Sequence, residues 1–132
     1  MPNEILLKLN KAAKSSSLKL ACIGNIIKLK NQKVLIDTLA YMKSIRIDVP
    51  HLFLIGDTTS EIDYYKGLVT LIKKNELSDK VIFTDHLNKP EYYSVLEKMD
   101  ILIIASKMEG LPIIISEAFK FKIPIITTNV GG

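Results

Sequence analysis

The sequence predicts an α/β domain, a doubly wound, Rossmann-like parallel sheet of about five strands with helices on both faces. Three observations lead there. Five short runs rich in Ile, Leu and Val recur along the chain, at residues 19–23, 52–55, 81–83, 101–105 and 123–127. Most are continuous rather than alternating, which suits strands covered on both faces. Segments with helical period and helical caps fill the gaps, so strand and helix alternate over short connections, and that alternation favours a parallel sheet.

Each helix has its own signal. Over 31–44, Val34, Leu35, Leu39 and Met42 fall on one stripe at spacings of three and four. Over 61–75, Ser60 and Asp63 have the spacing of a capping box, and Tyr65, Leu68, Val69 and Ile72 form the apolar face. Over 89–98, Asn88 followed by Glu91 is a second cap signal, and Pro90 fits the first turn. Over 112–122, Pro112 sits where a helix accepts a missing N–H. Residues 3–13 read either as a short helix or as a mobile arm, and 11–17 (Lys-Ala-Ala-Lys-Ser-Ser-Ser) is the most linker-like stretch. The expected division is a linker or N-terminal arm over 1–17 and one domain over 18–132. That domain is expected to be truncated at its C-terminus, because the chain stops at Val130-Gly131-Gly132, just past the fifth run.

Composition narrows the classes. The 132 residues are 48% apolar and 24% charged, enough for one domain with a proper core. No apolar run approaches the roughly 20 residues that span a bilayer, and the first residues lack the order of a signal peptide. A cytoplasmic location is the expectation. The lone Cys22 excludes an internal disulfide and a cysteine-based zinc site, and reads as an inert core residue. His51 and His86 have no metal-ligand spacing. The net charge of +4 is mild and its lysines are spread along the chain, so it reads as a solubilising surface, or else as a preference for an anionic ligand or membrane surface. No arginine-rich stripe with interleaved aromatics points to nucleic acid.

In a sheet of this kind ligands bind beyond the carboxyl ends of the strands, near the switch in strand order. The loops to watch are 24–30, 56–60, 84–88, 106–111 and 128–132. The strongest signal spans Ser106-Lys-Met-Glu109-Gly110-Leu111-Pro112-Ile-Ile-Ile-Ser-Glu117-Ala118. Glu109 stands in the loop after the fourth strand, Gly110 permits close approach of a ligand to the backbone, and Pro112 opens a helix. Free N–H groups in that helix's first turn, with its dipole, make an anion site. Glu117, about a turn and a half in, offers two acceptor oxygens to hydroxyl groups. The ordinary alternative is that both glutamates merely suit the dipole or the solvent.

These residues resemble the retaining glycosyltransferases of family 4, also called group 1. The C-terminal domain of that family carries a Glu-x7-Glu motif in the form Ser-x-x-Glu-Gly-(Phe/Leu)-Pro…Glu-Ala. Ser106, Glu109, Gly110, Leu111, Pro112, Glu117 and Ala118 stand in register with it. Asp100, Val81-Ile-Phe83, Ile125–Thr127 with Val130-Gly131-Gly132, and Gly24-Asn25 followed by Lys30-Asn31-Gln32 continue the likeness over roughly residues 18–132.

The resemblance implies half of a GT-B fold that binds a nucleoside-diphosphate sugar and serves retaining transfer to a glycan, lipid or other acceptor, as in polysaccharide biosynthesis. Glu109 would contact the donor sugar, and backbone amides at Gly110 and Leu111 would hold the diphosphate. Glu117 would bind the ribose hydroxyls. Lys30 would neutralise the leaving diphosphate, although it also reads as an ordinary surface lysine. Gly24 and Asn25 would complete the donor site, Asn25 standing where the family usually has Arg and so bringing no charge. Asp85 stands where the family often has Gly; Asp85 and His86 either line the base pocket or form a turn.

No metal or cofactor is required on this reading. The acceptor would be held by an N-terminal domain missing here, so this chain alone is expected to transfer nothing. The full protein is expected to work in the cytoplasm, at the inner face of the membrane if it associates peripherally. The alternatives are a non-catalytic nucleotide-binding fragment and part of a nucleotide-sugar epimerase.

Overall fold

The computed structural model describes residues 1–107 and 113–128. Its elements run α1 (Asn3–Lys14), β1 (Lys19–Ile23), a 3₁₀ turn (Lys28–Lys30), α2 (Gln32–Ser44), β2 (His51–Ile55), α3 (Ile62–Lys74), β3 (Val81–Asp85), α4 (Lys89–Leu96), β4 (Ile101–Ile104), α5 (Ile113–Lys120) and β5 (Ile125–Thr127). The strands form one parallel sheet in the order β3-β2-β1-β4-β5. This is the predicted doubly wound α/β architecture. The chain winds outward from β1 through β2 to β3, then returns to place β4 on the other side of β1.

The two faces hold two cores. On one, Ile36 and Leu39 of α2 and Leu68 and Ile72 of α3 pack on Leu20, Cys22, Leu52 and Leu54 of the sheet. On the other, Leu9 and Ala12 of α1, Val95 and Leu96 of α4 and Ala118 of α5 cover Ala21, Phe53, Ile82 and Leu102. Strand β2, flanked by β3 and β1, is buried along its whole length, which is why its run reads as continuous rather than alternating. Cys22 is buried, as expected.

The structure also changes several readings. Residues 3–14 form a helix whose Ile5, Leu9 and Ala12 are buried, so a boundary at residue 18 does not separate this segment from the core. In α2 the buried positions are Gln32, Ile36 and Leu39, and Val34 of the proposed stripe is exposed. The capping box at Asn88 and Glu91 is present, with both reciprocal bonds. The one read at Ser60 and Asp63 is not: α3 is capped by Glu61 without a side-chain bond, and the Ser60 hydroxyl and amide both donate to Asp57.

Helices α2, α3 and α5 end alike. Arg46, Glu76 and Lys122 take the left-handed conformation. The following amides, of Ile47, Leu77 and Ile123, return to Met42, Ile72 and Ala118 at 3.0, 2.9 and 2.8 Å. This is the Schellman geometry with a charged residue where glycine is usual, so a search for glycine stops finds none of these ends.

Asp100 fixes how β4 starts beside β1. Its carboxylate accepts from the Lys19 amide at 2.7 Å, its amide donates to the Lys19 carbonyl at 2.7 Å, and the Lys19 ammonium lies 3.2 Å away. Asp100→Ala is expected to cost about 1–3 kcal/mol, because the Lys19 amide loses a charged acceptor at the start of β1. Urea unfolding measures it, and a change under about 0.5 kcal/mol would show that water replaces the carboxylate without loss.

Candidate functional site

Strand order reverses between β1 and β4, and the loops that follow β1, β2 and β3 gather beside that point. Gly24 and Gly56 each follow a strand, with φ of 140° and 151°. They touch: a Cβ on Gly56 would stand 2.1 Å from the Gly24 carbonyl oxygen. The Gly24 amide donates to the Ile55 carbonyl and the Ile26 amide to the Asp57 carbonyl, both at 2.9 Å, so the two loops are laced together. Gln32, at the start of α2, is buried and donates from Nε2 to the Asn25 carbonyl at 2.9 Å. Asn31 before it is left-handed, a conformation asparagine tolerates, and it separates the 3₁₀ turn from α2.

That turn aims Lys30 back across the loop. The space a Cβ on Gly24 would take is filled by Lys30, whose Cε and Cδ would lie 3.1 and 3.3 Å from it. The lysine therefore lies over the backbone at the carboxyl end of β1.

A cavity of about 290 Å³ opens here, lined by Gly24, Asn25, Gly56, Asp57, His86 and Glu117, with Tyr92, Ile114 and the strand ends closing it. The Asp57 carboxylate accepts from the Thr59 and Ser60 hydroxyls at 2.8 Å each, and those hydroxyls hold its pKa below the usual carboxylate value. Glu117, on α5, lines the cavity beside Tyr92 of α4. Its Oε2 is shut off from solvent and has no hydrogen-bond partner among the described residues. Burial first, then the neighbouring Glu117 carboxylate, push the Tyr92 phenol well above its usual pKa.

A larger depression of about 500 Å³ lies at the opposite end of the sheet, between Arg46, Asp48, Glu76 and Lys80. Its charges are of both signs, and its Lys43 and Glu76 stand 3.9 Å apart.

Of the residues the sequence singles out, Gly24, Asn25, His86 and Glu117 meet in one cavity. Lys30 lies over Gly24 without lining it. Asp85 is exposed and left-handed, and its Oδ1 accepts from the His86 amide at 2.8 Å and the Thr58 amide at 3.4 Å. It shapes the turn, while His86 faces the cavity. Glu109, Gly110 and Leu111 fall outside the described residues. No group of three or more His, Cys, Asp or Glu side chains able to hold a metal occurs among the described residues, and no described helix is long and apolar enough to cross a membrane.

The family model for glycosyl transferases group 1 matches residues 7–132. An O-antigen biosynthesis glycosyltransferase, WclY of Escherichia coli, is 35% identical over 64 residues, which are 48% of this chain and 18% of that protein. The structure of HepE from Anabaena in complex with UDP-glucose superposes with a TM-score of 0.81 at 22% identity, covering all of this chain and 35% of that one. The C-terminal domain of a group 1 glycosyl transferase, LpcC of Francisella tularensis, superposes with a TM-score of 0.78 at 23% identity, over 95% of this chain and 65% of that one. The matched residues thus span about a fifth of WclY, and the chain spans about a third of HepE.

Proposed function

The chain belongs to the glycosyl transferases of group 1, and from that premise we propose that the cavity beside β1 and β4 holds the nucleoside-diphosphate part of a sugar donor. The single observation that carries the reading is Glu117, a carboxylate lining the cavity with one buried oxygen that no described residue satisfies. A buried acceptor without a donor is costly, and a sugar hydroxyl supplies the missing proton. The gathering of Gly24, Asn25 and Lys30 at the same strand end supports a phosphate position there. Lys30 brings a positive charge where negative charge accumulates on a leaving diphosphate, and fixed charge of that sign lowers the barrier to departure.

The finer reading extends the same logic. Glu109, Gly110 and Leu111 would meet the donor sugar and diphosphate. Transfer would retain anomeric configuration without a metal, and the acceptor, an envelope or other glycan, would be held by a further domain. The full protein would work in the cytoplasm, at the inner face of the membrane. Support comes from the relative named for O-antigen biosynthesis, the related structure that holds UDP-glucose, and the share of that structure lying outside this chain.

Calorimetric titration of the chain with UDP and GDP is expected to show binding of at least one. Lys30→Ala should weaken the diphosphate about tenfold or more while leaving the affinity for the bare nucleoside unchanged. A folded protein that binds neither nucleotide overturns the reading.

A further inference from the structure

At the amino ends of β2 and β3, away from the proposed donor cavity, a depression of about 130 Å³ is lined by Lys8, Lys11, His51, Ser78, Asp79 and Ile82. Three segments distant in sequence build it. Helix α1 turns Ile5, Leu9 and Ala12 into the core, which leaves Lys8 and Lys11, three residues apart, together on one side of the helix. His51 opens β2, and its amide donates to the Leu18 carbonyl at 2.8 Å. Ser78 and Asp79 stand in the turn after α3, which the Lys80 amide closes on the Leu77 carbonyl at 2.9 Å.

Two features separate this place from an ordinary basic surface. The first is an orphaned group. His51 is 8% exposed, and its Nδ1 is shut off from solvent with no hydrogen-bond partner among the described residues, a condition that calls for a physical reason. Burial first, then the Lys80 ammonium, hold the imidazole's pKa below its usual value; Lys19 adds to them, and Asp79 and Asp48 pull the other way. The ring is therefore neutral at neutral pH, with one N–H and one bare nitrogen. The second feature is the mix of partners. Lys8 meets Glu4 at 2.9 Å in an exposed pair on the same helix, which water weakens. Lys11 forms no ion pair among the described residues. The lining thus offers donors from two lysines, a serine and an imidazole, and one acceptor in the Asp79 carboxylate.

That set matches a particular anion. A phosphate that keeps a proton accepts through its bare oxygens and donates through its P–O–H, so it satisfies the donors and the carboxylate together. Sulfate has no proton to give and would face Asp79 as a like charge. A space of about 130 Å³ equals about four waters at roughly 30 Å³ each, which suits one tetrahedral oxyanion and is too small for a nucleotide.

We propose that this depression is a second anion site, one that takes a hydrogen phosphate group, free or at the end of a phosphomonoester, between Lys8 and Lys11, the Ser78 hydroxyl, the His51 imidazole and the Asp79 carboxylate. The proton of the imidazole sits on Nε2, where the ligand receives it, and the enclosed Nδ1 stays bare. The site shares no residue with the cavity around Gly24 and Glu117, so it stands or falls apart from the nucleotide reading.

The chain has two histidines. His86 lines the donor cavity and His51 the second site, so their imidazole proton resonances report the two places separately, and His51→Gln and His86→Gln assign them. The protein is titrated with inorganic phosphate, methyl phosphate and sulfate at constant ionic strength and about pH 6, where phosphomonoesters keep part of their second proton. The His51 resonance is expected to shift and saturate with at least one phosphate, and the one that saturates first names the source. Sulfate should bind about tenfold more weakly. Lys11→Ala should weaken phosphate about tenfold. Lys14→Ala, which removes a lysine of the same helix outside the depression, should change it by less than about twofold. Thermal melts check that both variants fold. A His51 resonance that neither phosphate moves in the folded protein overturns the inference. Equal losses in the two lysine variants, or sulfate binding as tightly as phosphate, overturn it too. None of these results touches the donor cavity, whose occupancy is read at His86.

Discussion

Replacing Gly56 with alanine is expected to destabilise the fold by about 3 kcal/mol or more, combining backbone strain with a steric overlap that has no cheap relief. Two terms act together. The φ of 151° is one that L residues rarely adopt. The added Cβ would lie 2.1 Å from the Gly24 carbonyl oxygen, 2.5 Å from its carbon and 3.1 Å from the Asn25 nitrogen. All three are backbone atoms, and their loop is tied by the Gly24 amide to Ile55, the Ile26 amide to Asp57 and Gln32 to the Asn25 carbonyl. Relief requires breaking some of those bonds.

Gly67 supplies the control. It lies inside α3, with nothing within 4 Å of a Cβ, so Gly67→Ala should stabilise by about 0.5–1 kcal/mol. Guanidinium unfolding of both variants reads the two signs. A Gly56→Ala protein within about 1 kcal/mol of wild type would show that the two loops do not approach as closely as the geometry indicates.

The second large effect concerns binding. Glu117→Ala should weaken the nucleoside diphosphate by about 10–100-fold, the range for deleting a charged partner of a hydrogen bond. Stability should move little in Glu117→Gln, which keeps the side chain's shape and removes a buried charged oxygen without a donor. Affinity should still fall in that variant, because the amide is a weaker acceptor and carries a donor toward the ligand. Loss of affinity without loss of stability separates a ligand contact from a packing contact. Calorimetry beside thermal melts tests the pair, and unaltered affinity in both variants would remove Glu117 from the site.

What the sequence revealed follows from which forces act locally. Strands announce themselves when burial is two-sided, and His51–Ile55 is buried throughout. The Asn88 cap is legible because both of its partners lie within four residues. Ser60 misleads because Asp57, three residues earlier, takes its hydroxyl. Strand β5 starts at Ile125 and not at Ile123, since Ile123 closes the end of α5 through its amide. Gly24, Asn25 and His86 were visible because a loop after a parallel strand is where ligands sit, and Glu117 because it closes the string that begins at Ser106 and Glu109. Gly56 and Gln32 act through partners 32 and 7 residues away. No local pattern marks such residues. Three separate helix ends without glycine were hidden for the opposite reason: the motif is local, but its usual residue is absent.

The strand order has a mechanical side. One half of the sheet, from β1 through β3, contributes Gly24, Asn25, Gly56 and Asp57 to the cavity wall; the returning half contributes Tyr92, Ile114 and Glu117. Between the halves the sheet is joined by the pairing of β1 with β4. A molecule seated in the cavity grips both sides of that seam, so its binding free energy is added to the work of parting them. Amide exchange at the seam should therefore slow when the cavity fills.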